Sequence, residues 1–319
     1  MTHVESQLPL PLDSDAPAEA TAAPAALDAE ACAEWLREQG YRVLAPVVHR
    51  PVIDEPRGEP ERHGLVVDVE TTGREHGTDA IIQLAAIPFR FTERTGRVTT
   101  VDEPVVAYDD PGRPIPPEVV GLTGITDADV AGKRLEDVAD FEALAARADL
   151  VIAHNARFDR PFVEARLPAF ADVAWGCTWN EIDWGPGSQT LEMLLLRHCE
   201  KCIDAHRADE DCLAVIELLA ADLRGRTAMA RLLEATRAES CRVLAVGAPF
   251  DVKDELKRRG YRWHPGDAGS PKCWWRELPA EEQAAERAWL ESSIYPEGRC
   301  RAEFDRITAR ERYRAFSAG

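Results

Sequence analysis

The sequence predicts an α/β domain followed by a smaller α+β domain. From Leu65 onward, short apolar runs alternate with segments in which apolar residues recur at helical spacing. The first 27 residues are rich in alanine, proline and acids and contain no aromatic residue, which is typical of a disordered tail. After residue 240, a second series of short strands and helices begins. We therefore predict a disordered tail (1–27), a helix–strand extension with a linker (28–62), the α/β domain (63–223), a helical connector (224–240) and a small α+β domain (241–319).

The individual elements follow from apolar spacing and from turn residues. In the extension, "DAEACAEWLREQG" (28–40) predicts a helix and "YRVLAPVVHR" (41–50) predicts a strand. The predicted strands of the α/β domain are "LVVDVETTG" (65–73), "AIIQLAAIPFRF" (80–91), "VTTVDEPVVAY" (98–108) and "LVIAHN" (150–155). Its predicted helices are "LEDVADFEALAARAD" (135–149), "DRPFVEARL" (159–167), "TLEMLLLRHC" (190–199) and residues 209–223. In the last domain, residues 241–250, 271–278 and 300–309 predict strands, and residues 251–260 and 279–295 predict helices.

The charge is unevenly distributed along the chain, whose net charge is −19. Residues 61–221 carry 15 basic and 30 acidic side chains, a net charge of −15, whereas residues 222–319 carry 19 basic and 16 acidic side chains, a net charge of +3. An acidic surface does not attract phosphates in general. Any nucleic-acid function must therefore act locally, through metal ions or a small basic patch.

The apolar runs, the N-terminal residues and the cysteine spacing together predict where the protein resides. No run approaches the ~20 apolar residues that a membrane span needs, and the acidic N-terminus does not resemble a secretory signal. We therefore expect a cytoplasmic protein without membrane association. The eight cysteines show no framework spacing. One pair, Cys199 and Cys202, has C-x-x-C spacing. A single such pair is weak evidence for zinc, because a structural zinc site needs four ligands, so ordinary thiols are the favoured interpretation.

Three acidic segments of the α/β domain are candidates for chemistry. In "LVVDVETTG", Asp68 and Glu70 are two residues apart on a strand and so point to the same face. In "AHNARFDRPF" (153–162), Asp159 follows a buried strand, and in "HRADED" (206–211), Asp211 stands at the start of an apolar helix. Each segment alone has an ordinary explanation, which is a solvated strand end, a helix cap or an acidic first helical turn.

Taken together, the segments "DVETTG", "HNARFD" and "HRADED" have the order and local contexts of a known nuclease family. The chain from residue 65 to residue 221 resembles the DEDDh (DnaQ-like) 3′–5′ exonucleases, the superfamily that contains the epsilon proofreading subunit of bacterial DNA polymerase III. "VVGLTGITDADV" (119–130) resembles the family's segment between the first two motifs. The resemblance implies a ribonuclease-H-like fold with a mixed five-stranded sheet flanked by helices.

The resemblance also implies the parts of a metal-dependent active site. Asp68, Glu70, Asp159 and Asp211 are expected to bind two divalent ions, Mg²⁺ or Mn²⁺, because hard cations prefer carboxylate oxygens. Two such ions can stabilise both the attacking and the leaving oxygen at phosphorus. His206 is expected to be the general base, since an unperturbed imidazole with a pKa of ~6.5 can accept a proton from water near neutrality.

Further residues are expected to contact the substrate by the same resemblance. Backbone amides of the first motif would approach the terminal nucleotide, and side chains of the second segment and second motif would wedge or stack around the last bases. For Phe158, helix core packing is an equally good interpretation. The expected substrate-binding residues are Thr71, Thr72, Gly73, Leu122, Thr123, Asn155 and Phe158.

The small C-terminal domain mixes basic and aromatic residues. Such a mixture can bind single strands by charge and stacking, and the alternative is that the tryptophans form the core of the domain beneath solvated charges. The residues concerned are Lys257, Arg258, Arg259, Arg262, Lys272, Arg276, Tyr261, Trp263, Trp274 and Trp275.

The function expected from the sequence is hydrolysis of phosphodiester bonds at single-stranded or frayed 3′ ends of DNA, with release of nucleoside monophosphates. Replication or repair proteins are expected partners. An exoribonuclease of the same fold that trims RNA 3′ ends is the first alternative, because nothing in the sequence shows recognition of the 2′-hydroxyl. A non-catalytic nucleic-acid-binding or interaction protein is the second, and the complete set of five catalytic residue types speaks against it.

Overall fold

The computed structural model describes residues 28–203, 207–266, 271–295 and 298–315. Contacts divide the chain into two compact units, residues 1–45 and 46–319. In the first unit, helix α1 (Ala29–Glu38) is capped by Asp28, whose carboxylate accepts a hydrogen bond from the Glu30 amide (3.1 Å). The tail predicted for residues 1–27 lies outside the described residues, and its disorder stays a prediction.

The strand predicted over residues 41–50 is wrong in extent. Only β1 (Ala45–Pro46) has strand geometry there. The strand ends at Pro46, where proline removes one backbone donor.

The α/β part contains the mixed sheet that the sequence predicts, with helices on both faces. Its strands are β2 (Glu61–Thr71), β3 (Ile81–Thr92), β4 (Val98–Val101), β5 (Val105–Tyr108), β6 (Leu150–Ala153) and β7 (Trp175–Cys177). The order is β4-β3-β2-β6-β7, and β5 also pairs with β3. Strand β2 is antiparallel to β3 and parallel to β6, and β6 is parallel to β7.

The sheet has six strand segments rather than the five expected. The predicted strand 98–108 divides into β4 and β5, which pair with different parts of β3. The division falls at Glu103 and Pro104, where proline again removes a backbone donor.

Helices connect and cover this sheet. They are α2 (Pro117–Thr123), α3 (Asp127–Val130), α4 (Phe141–Arg147), α5 (Ala156–Arg166), α6 (Thr178–Glu181), α7 (Leu191–His198), α8 (Ala208–Ala220) and α9 (Ala228–Arg237), with the short strand β8 (Lys201–Cys202) between α7 and α8. The single helix predicted over 135–149 is wrong at its start, because Asp140 accepts a hydrogen bond from the Ala143 amide (2.9 Å) and caps α4 there. In the described residues, no helix has the length and apolar content needed to cross a bilayer.

The two faces of the sheet bury separate apolar cores. Val66 of β2 packs with residues of α7, α8 and α9 on one face, whereas Leu65 and Val67 pack with residues of α4 and α5 on the other. Because side chains alternate along a strand, Asp68 and Glu70 continue the row of Val66 toward α8. This alternation positions the two carboxylates between the sheet and that helix.

The C-terminal part forms a second sheet with its own apolar cluster. Its elements are β9 (Ser240–Val246), α10 (Lys253–Arg258), β10 (Arg262–His264), β11 (Cys273–Pro279), α11 (Gln283–Trp289), a π-helical turn (Leu290–Ile294) and β12 (Ala302–Ile307). The strands are antiparallel in the order β10-β11-β9-β12. Trp274 is buried in the cluster beside α10 and α11, as the core interpretation of the tryptophans requires.

Residues that follow β12 return to the first sheet. The carbonyl of Ala309 accepts a hydrogen bond from the Trp175 amide (2.8 Å), beyond the last strand β7. The fully buried Arg160 of α5 donates to the carbonyls of Arg310 (2.7 Å) and Arg312 (2.6 Å), and Tyr313 is buried in the core on the α5 face. The segment 308–314 therefore completes the α/β core, although it follows the second sheet in sequence. The division into separate domains at residues 223 and 241 stays a prediction.

Candidate metal centre

Three carboxylates meet between strand β2 and helix α8. Asp68 and Glu70 project from the carboxyl end of β2, and Asp211 lies in the first turn of α8, where its amide donates to the Arg207 carbonyl (2.9 Å). One ligand oxygen from each of Asp68, Glu70 and Asp211 lies within 4.8 Å of the others. Within the described residues, this is the one such group of histidine, cysteine or acidic side chains, and Cys199 and Cys202 do not belong to one there.

The fourth carboxylate, Asp159, lies on helix α5, which packs in the apolar core of Leu65 and Val67. Asn155 precedes the helix with left-handed backbone angles (φ 69°, ψ 49°), a conformation that asparagine tolerates better than most residues. This turn leads the chain directly from the end of β6 into α5. Asp159 then lies within the first helical turn with only 2% of its surface exposed, rather than at the N-cap position.

The electrostatics of the four carboxylates favour a bound cation. Burial raises the pKa of Asp68 well above its usual range, and the charges of Asp159, Asp211 and Glu70 add to the rise. Burial likewise raises the pKa of Asp159, and burial followed by the charge of Asp211 raises the pKa of Glu70 to about 7.

A cluster of this kind is fully ionised near neutrality only when positive charge balances it. Because carboxylate oxygens are the donors that Mg²⁺ and Mn²⁺ prefer, the donor set fits hard divalent ions.

Gln83 links the two elements that supply the cluster, and the sequence did not identify it. It pairs with Glu70 across the antiparallel strands β2 and β3, next to a bulge at Ile82. Its side-chain oxygen accepts a hydrogen bond from the amide of Ala208, the first residue of α8 (3.3 Å), and the side chain is 4% exposed. Gln83 therefore fixes the start of the helix that carries Asp211.

The first motif ends in a closely bonded turn. The Thr71 hydroxyl donates to the Gly73 carbonyl (2.5 Å), and the Thr72 hydroxyl accepts from Ala80 N (3.0 Å) and from Arg113 (2.8 Å). The Thr72 amide donates to the Ala80 carbonyl (2.9 Å), so this amide, expected near the substrate, is already used within the protein.

Glycine at position 73 leaves room for the Asp79 carboxylate in this turn. A Cβ atom at Gly73 would lie 2.4 Å from the Asp79 carboxylate, so any larger residue would displace Asp79. The glycine therefore allows a close approach of the backbone to that carboxylate.

The other expected substrate residues differ in how accessible they are. Leu122 of α2 is 56% exposed. The Thr123 hydroxyl donates to the Val119 carbonyl (2.9 Å). Asn155 is exposed, and the half-buried Phe158 ring packs at 5.2 Å from the ring of Phe162. Leu122 and Asn155 are thus the two exposed side chains in this set. His206 lies outside the described residues.

His154 is a second positioning residue that the sequence did not identify. Its ring nitrogens lie 2.8 Å from the Thr178 hydroxyl and 2.8 Å from the Gln189 carbonyl, and burial lowers its pKa to about 4. The imidazole is therefore neutral at pH 7 and ties the end of β6, just before Asn155, to α6 and the loop before α7. Its hydrogen-bond partners Thr178 and Gln189 are 24 and 35 residues further along the chain, so the motif "HNARFD" alone does not reveal them.

Comparison with known proteins identifies similar sequences over the first part of this site. A family model described as exonuclease, RNase T, matches residues 65–175. That range includes Asp68, Glu70 and Asp159 and ends before Asp211. A PolC-type DNA polymerase III from Listeria innocua is 37% identical over 100 residues, which is 31% of this chain and 6% of that protein. The corresponding protein from Bacillus subtilis is 32% identical over 111 residues, 34% of this chain and 7% of that protein. The chain thus matches less than a tenth of the length of these relatives.

Two solved structures are distantly similar. Exonuclease X in complex with 5′ overhanging duplex DNA has a TM-score of 0.37 and 22% identity, over 54% of this chain and 90% of that chain. Escherichia coli exonuclease I in complex with a dA16 oligonucleotide has a TM-score of 0.41 and 18% identity, over 68% of this chain and 63% of that chain.

Proposed function

We propose that this protein is a metal-dependent 3′–5′ exonuclease of the DnaQ-like superfamily that removes nucleoside monophosphates from DNA ends, because residues 65–175 match a family model described as exonuclease. The observation that carries the proposal is the approach of oxygens from Asp68, Glu70 and Asp211 to within 4.8 Å of one another. Asp211 comes from a different motif from Asp68 and Glu70, and only the folded chain brings it to them. Single-stranded or frayed 3′ ends are the proposed substrate, and replication or repair proteins are the proposed partners.

In this proposal, Asp68, Glu70, Asp159 and Asp211 hold two divalent ions. The bound ions would stabilise the negative charge that develops on the attacking and leaving oxygens at phosphorus. The carboxylates are poorly solvated, so they would give up little hydration when they bind cations.

His206 is proposed to accept a proton from the attacking water at an imidazole nitrogen. The water oxygen then bonds to phosphorus and the bond between phosphorus and the 3′-oxygen breaks. The terminal nucleotide leaves as a 5′-monophosphate, and the shortened strand keeps a 3′-hydroxyl group.

The test is digestion of DNA and RNA oligonucleotides labelled at either end, single-stranded or paired, with Mg²⁺, Mn²⁺ or EDTA. A 3′ label should be released at once as a mononucleotide, and a 5′ label should remain on a ladder of shortening strands. EDTA should abolish both. Faster digestion of RNA than of DNA would favour the RNA-trimming alternative, and the absence of any shortening with either ion would overturn the proposal.

Matched carboxylate variants show whether the proposed site is responsible. Asp68→Asn and Asp159→Asn should lose activity because each removes one ionised metal ligand. Asp137→Asn makes the same chemical change at an exposed position of the same part of the chain and should retain activity. If the Asp68 and Asp159 variants are as active as the Asp137 variant, the metal site is not where we place it.

A further inference from the structure

The face of the second sheet that is turned away from α10 and α11 meets the start of helix α5. Arg157, two residues before Asp159, lies 3.5 Å from the Glu277 carboxylate of β11, and its guanidinium is 5.7 Å from the centre of the Trp275 ring. Arg242 of β9 donates to the same carboxylate (2.7 Å) and is 5.9 Å from the same ring. The second sheet is therefore directly beside the helix that carries a candidate metal ligand.

Positive charge accumulates at this contact. Arg262 of β10 pairs with Trp275 in the strand register, so its side chain shares the face with Arg157 and Arg242. Burial and then the charge of Arg157 lower the pKa of Arg262, which shows that the two guanidinium groups are close.

Few carboxylates balance these arginines. Arg262 forms no ion pair with any of the described residues, whereas Arg157 and Arg242 share Glu277. The other acids on this face of the four strands, Glu303 and Asp305, lie on β12, which β11 and β9 separate from β10. Arg157 and Arg262 therefore lie close together with fewer carboxylates than arginines around them. They lie beside residues 61–221, whose net charge is −15. A phosphate group would relieve their mutual repulsion.

An exposed aromatic ring follows Arg262 at the edge of the same sheet and projects from the opposite face of β10, the face of Trp274. Strand β10 is the outermost strand, and Trp263 is 51% exposed. The Trp263 ring lies 5.4 Å from the ring of Trp274, which anchors it to the buried cluster. A supported, exposed indole on a sheet edge can stack with a base of any identity.

The basic run 257–259, which the sequence suggests for nucleic-acid binding, is partly used within the protein. Arg259 donates to the buried Glu286 carboxylate (2.9 Å) and lies 4.1 Å from the centre of the Trp289 ring. Lys257 lies over the Trp274 ring at 5.9 Å. The candidate nucleic-acid-binding surface is therefore strand β10 rather than helix α10.

We propose that Arg157, Arg262 and Trp263 form a binding site for single-stranded nucleic acid at the outer edge of β10. Phosphates would lie between the two arginines on one face, and a base would stack on the indole on the other face, where the strand passes around this edge. We call these three residues the β10 site. It lies beside α5, so it would hold nucleotides upstream of a 3′ end located at the carboxylates. The inference rests on the proposed exonuclease function for the direction of the strand, although binding itself does not require hydrolysis.

The test is the affinity of the full chain for a long fluorescein-labelled oligothymidylate, measured by anisotropy in EDTA over a range of NaCl concentrations. EDTA prevents hydrolysis, so the result does not depend on the catalytic proposal. Trp263→Ala should weaken binding roughly 5- to 100-fold, the range for loss of one base stack. Arg262→Ala should reduce the slope of log affinity against log salt by about one, since one fewer phosphate is neutralised.

The matched control is Arg301→Ala. Arg301 is exposed and precedes β12, at the opposite edge of the sheet, so this variant makes the same change of charge away from the β10 site. It should bind like the wild type. Equal weakening in the Arg262 and Arg301 variants would show a general charge effect and overturn the inference, as would a wild-type protein that does not bind the oligothymidylate.

A second measurement separates this inference from the proposed function. With metal present, the ratio of kcat/KM for the long oligothymidylate to kcat/KM for the p-nitrophenyl ester of thymidine 5′-monophosphate should fall in the Trp263 and Arg262 variants. If the wild type hydrolyses neither substrate but the variants still lose affinity in EDTA, the exonuclease proposal fails while the β10 site stands. An unchanged ratio together with unchanged affinity would overturn the β10 site alone.

Discussion

Replacing Arg160 with methionine should destabilise the α/β part severely, because this buried side chain joins α5 to the segment 308–314. Arg160 has none of its surface exposed and donates to three backbone carbonyls, those of Ala309 (3.3 Å), Arg310 (2.7 Å) and Arg312 (2.6 Å). It also pairs with Glu164 at 2.5 Å. Methionine fills much of the volume but removes the donor to the Arg310 and Arg312 carbonyls, whereas the Ala309 carbonyl keeps its bond from the Trp175 amide.

The expected loss follows from the penalty for breaking a buried, hydrogen-bonded charge network by removing one partner, which is about 3–5 kcal/mol. At roughly 2–4 °C per kcal/mol for a domain of this size, Tm should fall by roughly 6–20 °C. The guanidinium lies 5.4 Å from the centre of the Trp175 ring, so tryptophan fluorescence and circular dichroism should both report the change.

Arg134→Met is the matched control for this measurement. Arg134 is 66% exposed and makes an ion pair of 3.5 Å with the half-exposed Glu136, an arrangement worth at most about 1 kcal/mol. If the Arg160 and Arg134 variants unfold at the same temperature, the segment 308–314 does not stabilise α5, and the reasoning from burial and hydrogen bonding is wrong.

Three further predictions concern the candidate site. His206→Ala should lower the rate of hydrolysis by about 10²–10⁴-fold while Mn²⁺ binding by calorimetry is kept; a rate within a few-fold of wild type would exclude this histidine as the base. Burial lowers the pKa of His154 to about 4, so the unfolded chain binds a proton that the folded protein rejects between about pH 6.5 and pH 4. The free energy of unfolding should therefore fall by up to about 3 kcal/mol as pH drops through that window, and in urea titrations His154→Gln should show a smaller fall. Gln83→Leu removes the acceptor for the Ala208 amide and should cost about 1 kcal/mol, with weaker Mn²⁺ binding; unchanged metal affinity would mean that α8 is held by its apolar face alone.

Much of the candidate site could be predicted from the sequence because its local signals are strong. The two-residue spacing of Asp68 and Glu70 fixes their common face, and the apolar periodicity after residue 208 locates the start of the helix that carries Asp211. These inferences need only the alternation of a strand and the period of a helix. For that reason they hold in the structure.

The residues that the sequence did not identify depend on distant pairing. Gln83 faces Glu70 only because the bulge at Ile82 sets the register between β2 and β3, and apolar alternation does not indicate which residue of a strand is the extra one. Arg157 looks like an ordinary helical arginine until Glu277, 120 residues later, is folded beside it. The divided strand at Pro104 is a different case, because the proline is visible in the sequence, yet β3 continues through Pro88, so a proline alone does not show where a strand ends.

The return of residues 309–313 to strand β7 has a consequence for the order of folding. Arg160 contacts carbonyls about 150 residues further along the chain, so this part of the core has a high contact order and closes slowly. During synthesis, the carboxylates of β2, α5 and α8 all emerge before the second sheet and before the segment that completes α5. A partly synthesised chain would therefore contain the whole set of acidic residues on an incompletely stabilised scaffold. If the proposed nuclease activity needs this core, activity in a translating system should appear only after residue 313 has left the ribosome, and therefore after the second sheet has been synthesised.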